Sequence, residues 1–289
     1  VDLNKVTDMA ITAKFRNNGQ VCISPNRFYI HESKKNEFAD LMVEKTKKLK
    51  IGNGMNKDTI LCVIPARSGS KGVIDKNIRD FNGKPLLIHS LEYAMTCDEI
   101  DNVIISTDSE KYANIAKKYN GVIPFIRPKE LALDSSQDIG FIKHALIKCE
   151  EIYNKKFDLV ILLRPTSPLR PAGLIEKGLK MIISDPKATS LKAVTNFKEH
   201  PYRHWVANNN YIKGYEDEIF EPYNLPRQEL PKLFYSAGEL EIIRRSTILN
   251  DSVSGKKIIP LILDRDIIVD IDTEEDWKNA EQKLKLLKK

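Results

Sequence analysis

Three cations and a turn of small residues follow one apolar segment of the chain. The apolar segment 60–65 is followed by Arg67, by the turn Ser68, Gly69 and Ser70, and then by Lys71 and Lys76. Glycine lacks the Cβ atom that would keep a ligand away from the backbone, so N–H groups in such a turn can approach phosphate oxygens. Arginine can bind a phosphate through two parallel hydrogen bonds, and lysine supplies a point charge. The spacing therefore predicts a phosphate-binding loop.

On this stretch alone, a plain strand-to-helix turn explains the same residues. The stretch has neither the GxxxxGK[ST] pattern of a P-loop nor the GxGxxG pattern of a dinucleotide site. The phosphate hypothesis therefore depends on the other motifs of the chain.

Two carboxylates form a second candidate site near the other end of the chain. In the stretch VDIDTEED, Asp270 and Asp272 are one residue apart, so on a strand they would project from the same face. Adjacent carboxylates repel each other unless a cation joins them, and Mg²⁺ prefers oxygen ligands. Alternatively they flank the N-cap of a helix beginning at Thr273, with Glu274 and Glu275 favouring its dipole. The two interpretations are compatible.

The elements that must position these residues alternate along the chain. Beyond residue 60, short β-branched runs alternate with amphipathic segments, which predicts an α/β fold with a parallel sheet and helices on its faces. We predict strands over 60–65, 102–107, 122–125 and 158–163, and helices over 85–97, 110–119 and 136–153. Asp134, Ser135 and Ser136 would supply the N-cap of the third helix, and Gly121 the C-cap of the second.

The pattern changes beyond Ser190. Four prolines and three consecutive asparagines, at 201, 222, 226, 231 and 208–210, predict irregular structure and hairpins rather than further strand–helix units. We place an insertion at about residues 198–236, of the kind that often builds a lid or a dimer contact.

The first 57 residues have a different character. Helical patterns over 3–15 and 35–49 flank a short predicted strand over 27–31, and we place a boundary at Lys57 and Asp58. The chain is therefore expected to consist of two regions, 1–57 and 58–289. The first has few ways to bury a core alone.

The composition is that of an ordinary soluble globular protein, with 42% hydrophobic and 30% charged residues in 289 and a net charge of +6. No stretch approaches the roughly 20 apolar residues that a membrane helix needs, and no leader pattern opens the chain, so we expect a cytoplasmic protein without a membrane or nucleic-acid partner. Four widely spaced cysteines, Cys22, Cys62, Cys97 and Cys149, predict free thiols rather than disulfides or a zinc site.

The stretch KFRNNGQVCISPNRFYIHES, followed by FADLMVEKTKKLKIGNG, resembles the region around the nucleophile of aldehyde dehydrogenases, especially the succinate-semialdehyde type. The resemblance covers residues 1–54. In that family the cysteine that matches Cys22 attacks the aldehyde, for which a thiolate is suited. The family's cofactor domain and general base lie mostly before this cysteine, whereas 21 residues precede Cys22 here. We interpret residues 1–57 as a truncated or fused fragment without a complete fold, and expect no aldehyde oxidation.

Six motifs in order resemble those of the CMP-sialic acid synthetases, the acylneuraminate cytidylyltransferases. They are IPARSGSKGVIDKNIRDFNGKPLL, VIISTDSEKYANIAKKY, PFIRPKELALDSS, ILLRPTSPLR, LPRQELPK and VDIDTEEDWKNAE, and they span about residues 59–284. The resemblance implies a Rossmann-like nucleotidyltransferase fold with a mainly parallel sheet and a small dimerisation insertion. It also implies a homodimer that uses Mg²⁺ and CTP to activate a sialic-acid-like nonulosonic acid, giving the CMP-sugar and pyrophosphate.

The same resemblance implies roles for individual residues. Arg67 and Lys76 would bind the triphosphate, and Asp270 and Asp272 would bind Mg²⁺. The remaining nucleotide-binding positions would be Ser68, Gly69, Ser70, Lys71, Asn77 and Ser106. Either Asp272 or a hydroxide held by the metal could accept the proton of the sugar hydroxyl.

The sugar-binding positions implied are Arg164, Ser167, Arg227 and Glu241, and two of them depart from the family pattern. Arg227 matches an arginine that faces the sugar acid, whose carboxylate it could grip with two hydrogen bonds. Arg164 stands where many relatives have glutamine, and FYSAGELEII places Glu241 where the family has tyrosine. Such changes alter which sugar substituents bind, so the substrate could be a legionaminic-type acid rather than sialic acid. Alternatively, Arg164 and Glu241 pair with each other.

Two other functions stay open. Cytidylyltransferases of the Kdo type have a similar opening motif, but usually with a lysine-proline pair where this chain has Lys76 and Asn77. A non-catalytic nucleotide-binding protein is the second alternative, and the presence of Arg67, Lys76, Asp270 and Asp272 argues against it. In the insertion, His200, His204 and Trp205 are expected to pack or to form a dimer contact.

Overall fold

The computed structural model describes residues 2–15, 24–49, 58–216 and 218–287. The chain folds as two compact units, residues 1–57 and 58–289. The hypothesis about Cys22 lies outside the described residues.

The described residues of the smaller unit include two helices, α1 (Leu3–Phe15) and α2 (Lys35–Lys47). Lys45 on α2 joins them, because its Nζ lies 2.6 Å from an Asp8 carboxylate oxygen and 2.9 Å from the Asn4 carbonyl oxygen. Residues 27–31 are irregular, so the strand predicted there is wrong. Among the described residues of this unit, only Thr7, Ala10 and Phe38 are buried, so these residues form a very small core.

The larger unit begins with β1 and ends with α8. Its elements are β1 (Ile60–Pro65), β2 (Asp80–Phe81), β3 (Lys84–Pro85), α3 (Leu86–Ala94), β4 (Asn102–Ser106), α4 (Glu110–Lys117), α5 (Asp138–Tyr153), β5 (Leu159–Leu162), α6 (Leu174–Ser184), β6 (Ser190–Asn196), β7 (Trp205–Asn208), β8 (Tyr211–Gly214), β9 (Phe234–Arg244), α7 (Arg245–Leu249), β10 (Ile258–Ile262) and α8 (Glu274–Leu287).

Six of these strands form one sheet in the order β10-β6-β9-β5-β1-β4. Strand β1 pairs in parallel with β4 and β5, and β6 with β10, whereas β9 runs antiparallel between β5 and β6. The fold is therefore α/β with a mostly parallel sheet, as predicted. The short strands β7 and β8 form the hairpin expected in the insertion.

Both faces of the sheet are covered, which explains why β1 is apolar throughout. Ile60, Cys62 and Ile64 pack in the cluster that includes Leu87 of α3 and Leu179 of α6. The alternate residues of the strand, Leu61 and Val63, pack in the cluster that includes Phe141 and Ile142 of α5. Successive side chains of a strand point to opposite faces, so a central parallel strand has no polar position.

Two predicted helix caps differ from those observed. Asn120, with φ of 61°, adopts the left-handed conformation after α4, and Gly121 follows it and donates its N–H to the Ala116 carbonyl. Helix α5 begins with Gln137 as its N-cap and no side-chain cap, because the Ser136 hydroxyl is used within the preceding loop.

Residues 122–125 are irregular, so the strand predicted there is wrong. The N–H of Ile105 in β4 donates to the Val122 carbonyl at 2.9 Å. Pro124 has no N–H to continue such a ladder.

The cysteines that the structure describes are Cys62, Cys97 and Cys149, and all three are free and buried. Burial raises the pKa of Cys97 to about 11 and that of Cys149 to about 12, so neither is a thiolate at neutral pH. No helix within the described part of the chain has the length and apolar character needed to cross a membrane.

Candidate active site

A cleft of about 330 Å³ opens beyond the C-terminal ends of β1 and β5. This is the edge where open parallel sheets generally bind ligands. Six of the predicted site residues line the cleft: Arg67, Ser70, Lys76, Asn77, Arg164 and Asp272. The other lining residues include Arg127, Asp134, Asp138 and Thr166.

The loop after β1 is fixed to the segment that precedes α8. The Nζ of Lys76 donates to the Asp272 carboxylate and to the Ile271 carbonyl, both at 2.8 Å, and the lysine side chain is almost fully buried. Asn77 ties the loop to itself, because its Nδ2 donates to the Arg67 carbonyl at 2.9 Å. A Cβ atom on Gly72 would lie 2.1 Å from the Asp272 carbonyl oxygen, so only glycine fits there. The two candidate sites of the sequence therefore form one site.

Asp108 holds the first turn of this loop. Its carboxylate accepts the Ser68 N–H at 2.7 Å and the Ser68 hydroxyl at 2.6 Å, so both donors of Ser68 are already used. Gly69 next to it has a φ of +76° and turns the chain. Sequence reasoning missed Asp108, although its position two residues after β4 places it at the same edge of the sheet.

Arg127 is a second residue that sequence reasoning missed. It lines the cleft although its side chain is nearly all buried: its Nε and Nη2 donate to the Ser106 hydroxyl and carbonyl, at 3.0 and 2.6 Å. The guanidinium also lies over the Phe141 ring, 4.5 Å from its centroid. Burial lowers the pKa of Arg127 to about 10, so it stays protonated at neutral pH. Ser106 itself is fully buried beneath the cleft.

The segment that carries Asp270 and Asp272 is irregular rather than a strand. Burial still alternates along the segment, because Val269 and Ile271 are buried while Asp270 and Asp272 are exposed residues. Desolvation by the surrounding protein, and then the charge of Asp272, raise the pKa of Asp270. Of the two aspartates, Asp272 is the one that lines the cleft.

The start of α8 does not use either of these carboxylates as a cap. Thr273 and Asp276 form a reciprocal pair: the Thr273 N–H and hydroxyl donate to the Asp276 carboxylate at 2.8 and 2.7 Å, and the Asp276 N–H donates to the Thr273 hydroxyl at 3.2 Å. This is the arrangement of a capping box. The side-chain oxygens of Asp270 and Asp272 are therefore not needed for the helix.

Arg164 and Glu241 pair with each other, which was the alternative to a direct sugar contact for Glu241. Glu241 of β9 is 6% exposed and lies 2.8 Å from both Arg164 Nη2 and Lys192 Nζ of β6. Arg164 Nη2 also lies 2.5 Å from Asp138 at the start of α5. Burial by itself would raise the pKa of Glu241, but the two cations lower it overall. Of the two residues, Arg164 lines the cleft and Glu241 supports it.

Two further predicted sugar-binding residues do not line the cleft. Arg227 lines a separate cavity of about 180 Å³ in the insertion, together with Phe197, His200 and Lys232. Ser167 is 1% exposed, and its hydroxyl has no hydrogen-bond partner among the described residues.

Comparison with known proteins agrees with this architecture. A profile described as cytidylyltransferase matches residues 61–212. The chain is 34% identical over 225 residues to the post-translational flagellin modification protein B of Campylobacter coli, covering 77% of this chain and 93% of that protein. It is 31% identical over 229 residues to the CMP-N,N'-diacetyllegionaminic acid synthase of Legionella pneumophila, covering 78% and 97%.

A solved structure shares the fold at low sequence identity. It is a CMP:2-keto-3-deoxy-manno-octonic acid synthetase complexed with CTP, with a TM-score of 0.60 and 16% identity over 79% of this chain and 99% of that one. The first residues of the chain match a different family, because a profile of the aldehyde dehydrogenase family covers residues 1–71. From its larger unit, this chain is a nucleotidyltransferase that belongs to the cytidylyltransferase family.

Proposed function

We propose that the protein transfers CMP from CTP to a nonulosonic acid of the sialic-acid type, releasing pyrophosphate. One observation carries the proposal: Lys76 and Asp272, 196 residues apart in the chain, meet at 2.8 Å in a cleft that Arg67 and Arg127 also line. Cations beside a carboxylate at the C-terminal edge of a parallel sheet suit a ligand that brings both phosphates and a metal ion.

In this proposal the chain contributes positioning and charge. Arg67 and Lys76 neutralise the triphosphate, with Ser70, Lys71 and Asn77 beside them. The anomeric hydroxyl of the sugar attacks the α-phosphorus, the bond to the β-phosphate oxygen breaks, and pyrophosphate leaves. Catalysis of such transfers depends mainly on alignment and on stabilisation of negative charge. Asp272, one of the carboxylates that line the cleft, would accept the hydroxyl proton.

The donor set at the 270–272 segment fits Mg²⁺. Asp270 and Asp272 supply hard carboxylate oxygens. Desolvation and, after it, the charge of Asp272 raise the pKa of Asp270, and a divalent cation would relieve the repulsion between the two carboxylates. When bound, Mg²⁺ would neutralise phosphate charge. Thr166 supports the site from the side, because its hydroxyl donates to Asp270 and its carbonyl accepts the Ile271 N–H.

The proposed sugar acid is nine-carbon and of the legionaminic type, as in the name of the Legionella relative. Arg164 stands in the cleft as a fixed cation, and fixed guanidinium groups favour substrates that present oxygen acceptors. Arg227 would bind the sugar carboxylate from the insertion, where it lines a cavity separate from the main cleft.

A homodimer is part of the proposal. The exposed aromatic residues of the insertion support it, with Tyr211 80% and Phe220 87% exposed.

The test is pyrophosphate release from CTP and Mg²⁺ by the full chain, offered legionaminic, sialic and octulosonic acids in turn. Arg67→Ala should lower kcat/KM by about 10²- to 10³-fold, as the loss of one transition-state donor generally does. Arg79→Ala is the matched control, because both side chains are 39% exposed and each pairs with one carboxylate. It should stay within a few-fold of the wild type.

Release with octulosonic acid alone would overturn the nonulosonic assignment. No release with any acid, from protein shown to be folded, would overturn the transferase function.

A further inference from the structure

One carboxylate bridges two of the cations assigned above to the nucleotide. Asp134 places one oxygen 2.8 Å from Arg67 Nη1 and the other 2.5 Å from Lys71 Nζ. Hydrogen bonds from Lys71 and then Arg67 hold the pKa of Asp134 below its usual value. The carboxylate is therefore ionised at neutral pH, and each of its oxygens serves one cation.

Asp134 belongs to a different segment of the cleft wall from the cations. It lies in the loop between Arg127 and α5, with Leu131, Leu133 and Ser136 lining the cleft beside it. Hydrogen bonds within the loop shape it: the Leu133 N–H donates to the Ser136 hydroxyl at 3.0 Å, which in turn donates to the Glu130 carbonyl at 2.7 Å. The ion pairs thus link this loop to the loop that follows β1.

We propose that Asp134 is an intramolecular competitor of the triphosphate. Its carboxylate occupies Arg67 and Lys71, and a bound nucleoside triphosphate takes its place on both cations. The inference rests on the proposed function, because it takes these two cations as triphosphate ligands. Asp134 thereby lowers the affinity for CTP. A ligand must carry several negative charges to displace it from both cations.

The exposure of the three groups makes such an exchange easy. The side chains of Arg67, Asp134 and Lys71 are 39%, 47% and 84% exposed. Water can therefore solvate each charge while it changes partner, and exposed ion pairs of this kind generally change an equilibrium constant by only about 1.4- to 5-fold. By contrast, the Glu241 carboxylate under Arg164 is 8% exposed and is not free to exchange.

The charge of the ligand decides the competition. A triphosphate offers several anionic oxygens to replace one carboxylate, whereas a nucleoside monophosphate offers a single group near the reacting phosphorus. Asp134 therefore lowers the affinity for CTP and leaves the affinity for ligands with one phosphate nearly unchanged. A purely positioning role would have the opposite consequence, because loss of Asp134 would then release the cations and weaken CTP binding.

Calorimetric titration of the full chain with CTP and with CMP, at fixed Mg²⁺ and low salt, separates these roles. Asp134→Asn should bind CTP about three- to tenfold more tightly, the combined effect of two exposed ion pairs, and CMP within twofold of the wild type. Asp134→Glu keeps the carboxylate and should stay within about twofold for both ligands. The gain of Asp134→Asn should shrink as salt is raised, because screening weakens exposed charges.

Asp251→Asn is the matched control. It removes an exposed carboxylate that pairs with Lys143 at 2.6 Å, changes the net charge equally and does not line the cleft. If Asp134→Asn binds CTP no more tightly than the wild type, or tightens CMP as much as CTP, the inference is wrong while the proposed function stands. If wild-type protein binds no CTP, the proposed function fails and the inference fails with it.

Discussion

Replacing Glu241 by glutamine should lower the thermal midpoint of the larger unit by about 6–12 °C. Glu241 is 6% exposed and is the shared partner of two cations, Arg164 and Lys192, each at 2.8 Å. Glutamine has nearly the same size, but its single carbonyl oxygen can accept from one cation only. Its NH2 group, which is a donor, then faces the other cation. The substitution thus leaves a partly buried positive charge without a carboxylate.

The expected loss of stability depends on which cations lack a carboxylate in the variant. Removing one partner of a buried ion pair generally costs about 3–5 kcal/mol. Arg164 keeps Asp138 at 2.5 Å, so the main uncompensated charge is that of Lys192, and we expect the lower end, about 3 kcal/mol. For a unit of this size, each kcal/mol shifts the midpoint by about 2–4 °C.

The effect should depend on pH in a defined direction. The folded state lowers the pKa of Glu241, so its stabilising contribution is present at neutral pH and is lost as the pH falls through that lowered value. The difference between wild type and Glu241→Gln should therefore be largest near pH 7. It should shrink below about pH 4.

Tryptophan fluorescence gives the assay, because the two tryptophans, Trp205 and Trp277, both belong to the larger unit. The double variant Glu241→Gln/Lys192→Met removes the unpaired cation as well, and should recover about 1–2 kcal/mol. Asp251→Asn, at an exposed pair, should change stability by less than about 1 kcal/mol. The reasoning is refuted if Glu241→Gln unfolds within about 1 °C of the wild type, or if the double variant is no more stable than the single one.

Two further changes test the 270–272 segment. Asp270→Asn should raise the thermal midpoint at pH 7 without divalent ions, because the raised pKa of Asp270 means that its ionised form destabilises the folded state. Mg²⁺ should raise the thermal midpoint of the wild type but not that of this variant. Equal Mg²⁺ shifts in both proteins would contradict the metal assignment. Gly72→Ala should lose stability by about 1–3 kcal/mol and most CTP turnover, because its Cβ would lie 2.1 Å from the Asp272 carbonyl oxygen. Gly83 has a φ of +88° and open space at its Cβ position, so Gly83→Ala should lose stability but keep turnover. Similar CTP turnover in the Gly72→Ala and Gly83→Ala variants would show that the Gly72 contact does not matter.

Local sequence patterns predicted the central strands and the position of the cleft. The apolar run 60–65 is buried on both faces and became β1 with the expected bounds, and the loop that follows it must lie at the C-terminal edge of a parallel sheet. The wrong predictions also came from short segments. Residues 122–125 carry β-branched side chains but include Pro124. At 134–136 the predicted capping side chains have other partners, because the Ser136 hydroxyl bonds within its own loop and Asp134 pairs with Arg67 and Lys71.

The sequence by itself determined the class of the fold and the kinds of charge at the site, because burial periodicity and residue chemistry are properties of short segments. Only the tertiary structure decided which charges meet. Lys76 reaches Asp272, Glu241 joins Arg164 to Lys192, and Asp134 bridges two cations of another loop. These partners are far apart in sequence, and whether a carboxylate faces a ligand or neutralises a neighbouring cation depends on strand order and loop path, which no short segment encodes.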